Sequence, residues 1–190
     1  METSLRWTTN DLAALPETLD DTRYEIVDGE LFVARQPTFE HQYACSVLTA
    51  ALHTWSATSG LGVGTVTPGI IFAEDEAVVP DVVWISRQRL REIIGVDGKL
   101  HGPPELVIEV LSPGRSNQQR DRDAKLRLYA RRGVDEYWII DLERRNVEIF
   151  RRDGPALSSA GLVGVSEELL SPLLPGFAHP VASLFFHQDG

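Results

Sequence analysis

Cysteine is nearly absent from this 190-residue chain. Cys45 stands alone, which excludes an intrachain disulfide and fits a reducing compartment. Long apolar runs are missing as well. No stretch approaches the ~20 apolar residues of a membrane span, and no apolar run follows basic residues near the start, so neither a membrane anchor nor a signal peptide is expected. A soluble, cytoplasmic protein is the expectation. Several sequence signatures of chemistry are also missing. There is no HExxH, no CxxC pair, no GxxxxGK phosphate loop and no GxSxG elbow, and Gly60-x-Gly62-x-Gly64 lacks dinucleotide-fingerprint spacing. Histidines 41, 53, 101, 179 and 187 show no zinc-ligand spacing. Lysine is scarce: Lys99 and Lys125 stand against 16 arginines.

What is present describes a folded domain. Hydrophobic residues make up 43% and charged residues 24%, a globular rather than a disordered balance, and the length suits a single domain spanning 1–190. The net charge of −10 weighs against binding phosphate over the whole surface, because that affinity comes from lysine and arginine. The charge is uneven, however. Residues 1–110 hold 7 basic and 17 acidic side chains, whereas 115–152 hold 11 basic and 7 acidic. A basic middle on an acidic chain allows nucleic acid at one face only.

Periodicity and turn residues give the order of elements. Thr8 to Asp11 ahead of Leu12 and Leu15 predicts a capped short helix ending at Pro16. Tyr24–Val27 and Glu30–Val33 flank Asp28-Gly29, the dipeptide of a type I′ hairpin. Tyr43, Val47, Leu48, Ala51, Leu52 and Trp55 recur at helical spacing. Strands are expected at Val63–Val66 and Ile70–Phe72 around Pro68-Gly69, at Val79–Ile85, and at Glu105–Leu111, the last almost continuously apolar as in strands covered on both faces. A helix and polar loop fill 86–101. A basic helix, Gln118–Arg132, stops at Gly133, then a strand runs over Asp135–Asp141 and pairs with Val147–Phe150 across a charged turn. Leu169–Phe186 reads as a packed irregular end. The fold class is α/β: a mixed sheet flanked by helices, with an N-terminal hairpin and a strand–helix–strand unit at 105–141.

Three polar residues sit where apolar ones belong. Glu109 lies inside LVIEVLS, and carboxylates are almost never fully buried unless paired, protonated or metal-bound. Asp81 opens PDVVWIS. Two carboxylates at matching places on neighbouring strands can converge on a hard cation. At 100° per residue, Lys125 shares the inward stripe of its helix with Asp121, Ala124, Leu128 and Arg132, with Tyr129 beside them. Each has a plainer reading: an edge-strand carboxylate for Glu109, a turn residue for Asp81, and an i,i+4 pair with Asp121 for Lys125. Tyr137 and Trp138 read as core.

The runs PDVVWIS, GPPELVIEVLSP, RDRDAK and LYARRGVDEYWIID, with YEIVDGELFV, PTFEH and LLSPLLPGF, resemble the Uma2 family of the PD-(D/E)XK nuclease superfamily over roughly Arg23 to Phe186. The resemblance implies a restriction endonuclease-like core and a metal-dependent endonuclease, with DNA rather than RNA as substrate and Mg²⁺ or Mn²⁺ as cofactor. It assigns Asp81 and Glu109, with the Val110 carbonyl, to the metal, and Lys125 and Glu30 to catalysis. The superfamily pattern puts its lysine two residues after the second carboxylate. That position here is Leu111, so the lysine comes from the following helix. Arg115, Arg120, Arg122 and His41 are candidate nucleic-acid contacts, with capping or packing the plainer role for His41. Two sites for two strands point to a homodimer. The alternative is a catalytically silent nuclease-fold module that binds nucleic acid or protein in a regulatory role. A metal-free acid/base hydrolase has only the two carboxylates behind it.

Overall fold

The computed structural model describes residues 6–15, 22–34, 36–111 and 118–186. The first helix, α1 (Thr9–Ala14), is held by a capping box in which Thr8 and Asp11 exchange side-chain and backbone bonds. Strands β1 (Arg23–Val27) and β2 (Glu30–Ala34) form the expected hairpin, with Asp28 and Gly29 both at positive φ as a type I′ turn requires. Helix α2 (Phe39–Ser59) starts on Thr38, whose hydroxyl accepts from the His41 N–H, and stops at Gly60 in the left-handed region.

The main sheet has six strands in the order β10-β9-β8-β7-β6-β3. Its members are β3 (Gly62–Val66), β6 (Val82–Ser86), β7 (Leu106–Leu111), β8 (Glu136–Asp141), β9 (Asn146–Asp153) and β10 (Ala156–Gly164). Only β7 and β8 run parallel, joined through α4 (Gln118–Arg132), as the strand–helix–strand unit predicts. Alternation along β7 explains its apolar run. Leu106, Ile108 and Val110 pack with Ala44, Leu48 and Leu52 of α2, while Val107 packs with Leu128 and Tyr129 of α4. Tyr137 and Trp138 are fully buried on opposite faces, so both are core.

A second sheet, β2-β1-β5-β4, uses β4 (Ile70–Ala73) and β5 (Glu76–Val78). The strands on either side of Pro68-Gly69 therefore join different sheets, β3 pairing with β6 and β4 with β5. The expected strand over Val79–Ile85 starts three residues later, at Val82. β5 ends at Val78 and β6 begins at Val82, because Pro80 has no N–H for a ladder. Helix α3 (Arg87–Ile93) follows β6 directly, capped by Ser86. The end of the chain is more regular than expected. It forms β11 (Glu168–Leu170), β12 (Ala178–Pro180) and a 3₁₀ turn, Val181–Leu184, and buries Leu169, Leu174, Phe177, Val181 and Leu184 against the α2 face.

Candidate metal and catalytic site

The site forms where β6 and β7 part. Val82 pairs with Ile108 in the antiparallel register. Asp81 immediately precedes Val82 and Glu109 immediately follows Ile108, so the two carboxylates lie beside the last pair of that ladder. The Val110 N–H then bonds Asp81 Oδ2 at 2.9 Å, so the side chain takes over where the backbone of Pro80 cannot continue the ladder. Asp81 Oδ2 also meets His41 Nε2 at 3.1 Å, and Oδ1 lies 3.5 Å from Arg23 Nη1. His41 Nδ1 stands 3.6 Å from Cys45 Sγ, one turn along α2. The His41 ring thus lies between the two groups, with Nε2 towards the Asp81 carboxylate and Nδ1 towards the Cys45 thiol.

Glu109 faces α4. Its Oε1 accepts from Lys125 Nζ and from the Tyr129 hydroxyl, each at 2.9 Å. Lys125 Nζ lies 2.8 Å from Glu25 Oε2 on β1, and Glu25 Oε1 accepts from the Val79 N–H at 2.8 Å. Four carboxylate and ammonium groups thus form one line: Glu25, Lys125, Glu109 and, across the strands, Asp81. All are shielded, with Asp81 7% and Glu109 8% exposed.

Burial and neighbouring charge split the two carboxylates. Burial opposes ionisation of Asp81, but the His41 hydrogen bond and charge, the Val110 N–H and the Lys125 charge together hold its pKa below the ordinary value. Glu109 goes the other way. Burial pushes its pKa up to about 8; Lys125 opposes that rise, and the charges of Asp81 and Glu25 add to it. Burial also works against the Lys125 ammonium, yet Glu109 and Glu25 raise its pKa well above the usual value. Two neighbouring carboxylates, one of them held protonated by its burial, are a donor set that suits a divalent cation binding through oxygen.

The expected residues fare differently. Asp81, Glu109 and Lys125 are brought together. Glu30 is exposed at the turn end of β2, opposite Val27, and the hairpin glutamate that reaches the cluster is Glu25. His41 is 5% exposed and bonded to Asp81, a setting that fits its packing role. The Arg122 guanidinium pairs with Glu148 and lies over the Phe150 ring. Arg115, and the side chains of Arg120 and Asp121, lie outside the described residues. Glu25, Tyr129, Arg23 and Cys45 were not singled out beforehand. For Glu25 a signal existed: the type I′ register puts it opposite Phe32 and on the same face as Val27, an apolar setting for a charge.

The sequence profile of the Uma2 family, described as "Putative restriction endonuclease", matches residues 9–182. The chain belongs to the Uma2 family. Its fold is shared with a solved structure from Anabaena variabilis ATCC 29413, described as a "putative nuclease belonging to DUF820". That structure is 19% identical with a TM-score of 0.75, over 94% of this chain and 97% of the other. The type IIG restriction endonuclease BpuSI is a weaker likeness, 17% identical with a TM-score of 0.39 over 80% of this chain and 16% of that one. No curated protein matches in sequence. The Uma2 chain therefore has the restriction endonuclease-like architecture its sequence implied: a mixed sheet flanked by helices, with an N-terminal hairpin. Among its described residues no helix is long and apolar enough to cross a membrane.

Proposed function

We propose that this Uma2 chain is a metal-dependent endonuclease hydrolysing phosphodiester bonds of DNA, a single domain over 1–190 acting as a homodimer. The observation that carries this reading is the neighbouring pair Asp81 and Glu109 with Lys125 bound to Glu109. Asp81, Glu109 and the Val110 carbonyl would hold Mg²⁺ or Mn²⁺. When bound, such an ion polarises a phosphoryl oxygen and lowers the pKa of its water.

The chain's own groups supply the rest. His41 and the Val110 N–H fix the Asp81 carboxylate in one rotamer. Glu25 holds the Lys125 ammonium in place, and that ammonium is aimed to stabilise negative charge growing at the phosphate. Tyr129 orients Glu109. Arg115 and Arg120, near the start of α4, would position the backbone without reading sequence.

Plasmid nicking with Mg²⁺ or Mn²⁺ tests the proposal. Activity should disappear in Asp81→Ala and in Glu109→Ala, and activity unchanged in both would refute it. A silent nuclease-fold module draws support from the net charge of −10 and the shielding of both carboxylates. Calorimetry separates the two readings: Mn²⁺ binding lost in Glu109→Ala favours the enzyme, and no binding by the unaltered chain favours the module.

A further inference from the structure

The proposed magnesium site leaves Cys45 without a task, although its surroundings are unusual. Cys45 is 4% exposed on the inner face of α2, one turn after His41, and its sulfur lies against the imidazole that touches Asp81. One ligand atom from each of His41, Cys45 and Asp81 can be chosen so that all lie within 4.8 Å of one another. A nitrogen, a sulfur and an oxygen at this spacing form a mixed donor set. Soft sulfur and imidazole together select zinc-like ions over magnesium, and tetrahedral zinc with three protein ligands keeps a fourth position for water.

We propose that His41, Cys45 and Asp81 form a second metal site for a thiophilic divalent ion such as Zn²⁺, sharing Asp81 with the magnesium or manganese site so that the two ions compete. The spacing supports it: residues i and i+4 of a helix face the same way, so His41 and Cys45 present their ligand atoms on one side of α2, next to Asp81 from another element. The support around the ligands is also in place. The Val110 N–H holds the Asp81 carboxylate, and Thr38 caps the helix turn that carries His41. Binding forms a metal–sulfur bond and breaks the S–H bond, releasing one proton to solvent.

Competition between the ions rests on the proposed function; occupancy of the site by a soft metal does not. Cobalt(II) is the probe, because cobalt–thiolate bonds absorb in the near ultraviolet and tetrahedral cobalt absorbs strongly in the visible. Cys45 is the only cysteine in the chain, so a thiolate band reports this site alone. The unaltered protein titrated with Co²⁺ should develop the charge-transfer band, and added Zn²⁺ should abolish it. Cys45→Ser and Cys45→Ala should lack it while keeping the far-ultraviolet circular dichroism of the fold, and Glu109→Gln should retain it. Excess Mn²⁺ should weaken it by taking Asp81. No band in the folded, reduced protein, or a band that survives in Cys45→Ser, overturns the site. A band that is present but indifferent to Mn²⁺ overturns the sharing of Asp81 and leaves the nuclease reading to the nicking assay.

Discussion

Glu109→Gln isolates the charge of the central carboxylate. The amide oxygen can accept from Lys125 and Tyr129 as Oε1 does, so the hydrogen bonds survive and only the titration is removed. In the folded chain Glu109 keeps its proton up to about pH 8, whereas its ordinary pKa is 4.5. Between those values the folded state holds one more proton than the unfolded state, so stability falls as pH rises. The contribution is fully present below pH 4.5 and gone above about pH 8. At roughly 1.4 kcal/mol per tenfold change in proton affinity, the loss between about pH 5 and pH 8 is on the order of 4 kcal/mol. For a chain of this size that is roughly 10 °C in Tm. Asp81 acts in the opposite direction, its stabilisation being present above 3.8 and lost as pH falls through its lowered folded value, and it acts in both proteins. Urea unfolding in metal-free buffer across this range should show the unaltered chain losing stability that Glu109→Gln keeps. Parallel curves would refute the assignment of a raised pKa to Glu109.

Three further outcomes follow from the same geometry. Lys125→Met leaves Glu25 and Glu109 facing each other without an ammonium; at pH 8 it should cost about 3–5 kcal/mol by denaturant unfolding, and less at pH 5 where Glu109 is protonated. A cost under about 1 kcal/mol at pH 8 contradicts the buried ion pair. Mn²⁺ binding should release a proton from Glu109 and tighten as pH rises towards about 8, seen as a buffer-dependent calorimetric enthalpy; enthalpies identical in all buffers argue against Glu109 as a ligand. Gly62→Ala would drive a Cβ into the Ile85 carbonyl and the Trp84 ring, and should lower stability by about 1–3 kcal/mol in thermal melts. An unchanged Tm there would mean that β3 does not pack on β6 as described.

The local devices of this fold were legible in one dimension because each acts over a few residues. Asp28-Gly29 specifies a type I′ turn, Thr8 and Asp11 cap α1, Gly60 and Gly133 stop α2 and α4, and the apolar run around Glu109 marks a strand covered on both faces. Lys125 was legible because helical spacing alone puts it with Leu128 and Tyr129 on the packed face. Tertiary structure decided what depends on partners far along the chain. Glu25 became the anchor of Lys125 because β1 lies beside α4, a contact across 100 residues that no local pattern carries. The strands on either side of Pro68-Gly69 were legible, but only tertiary pairing sent them to different sheets. Arg122 found its ion-pair partner in Glu148, on β9, which no local pattern pointed to. The sequence by itself determined that Asp81, Glu109 and Lys125 were out of place in apolar surroundings. Only tertiary structure, through the β6–β7 register paired across 26 residues and the packing of α2 on the sheet, decided that the two carboxylates lie close together and that His41 turns inward to hold one of them.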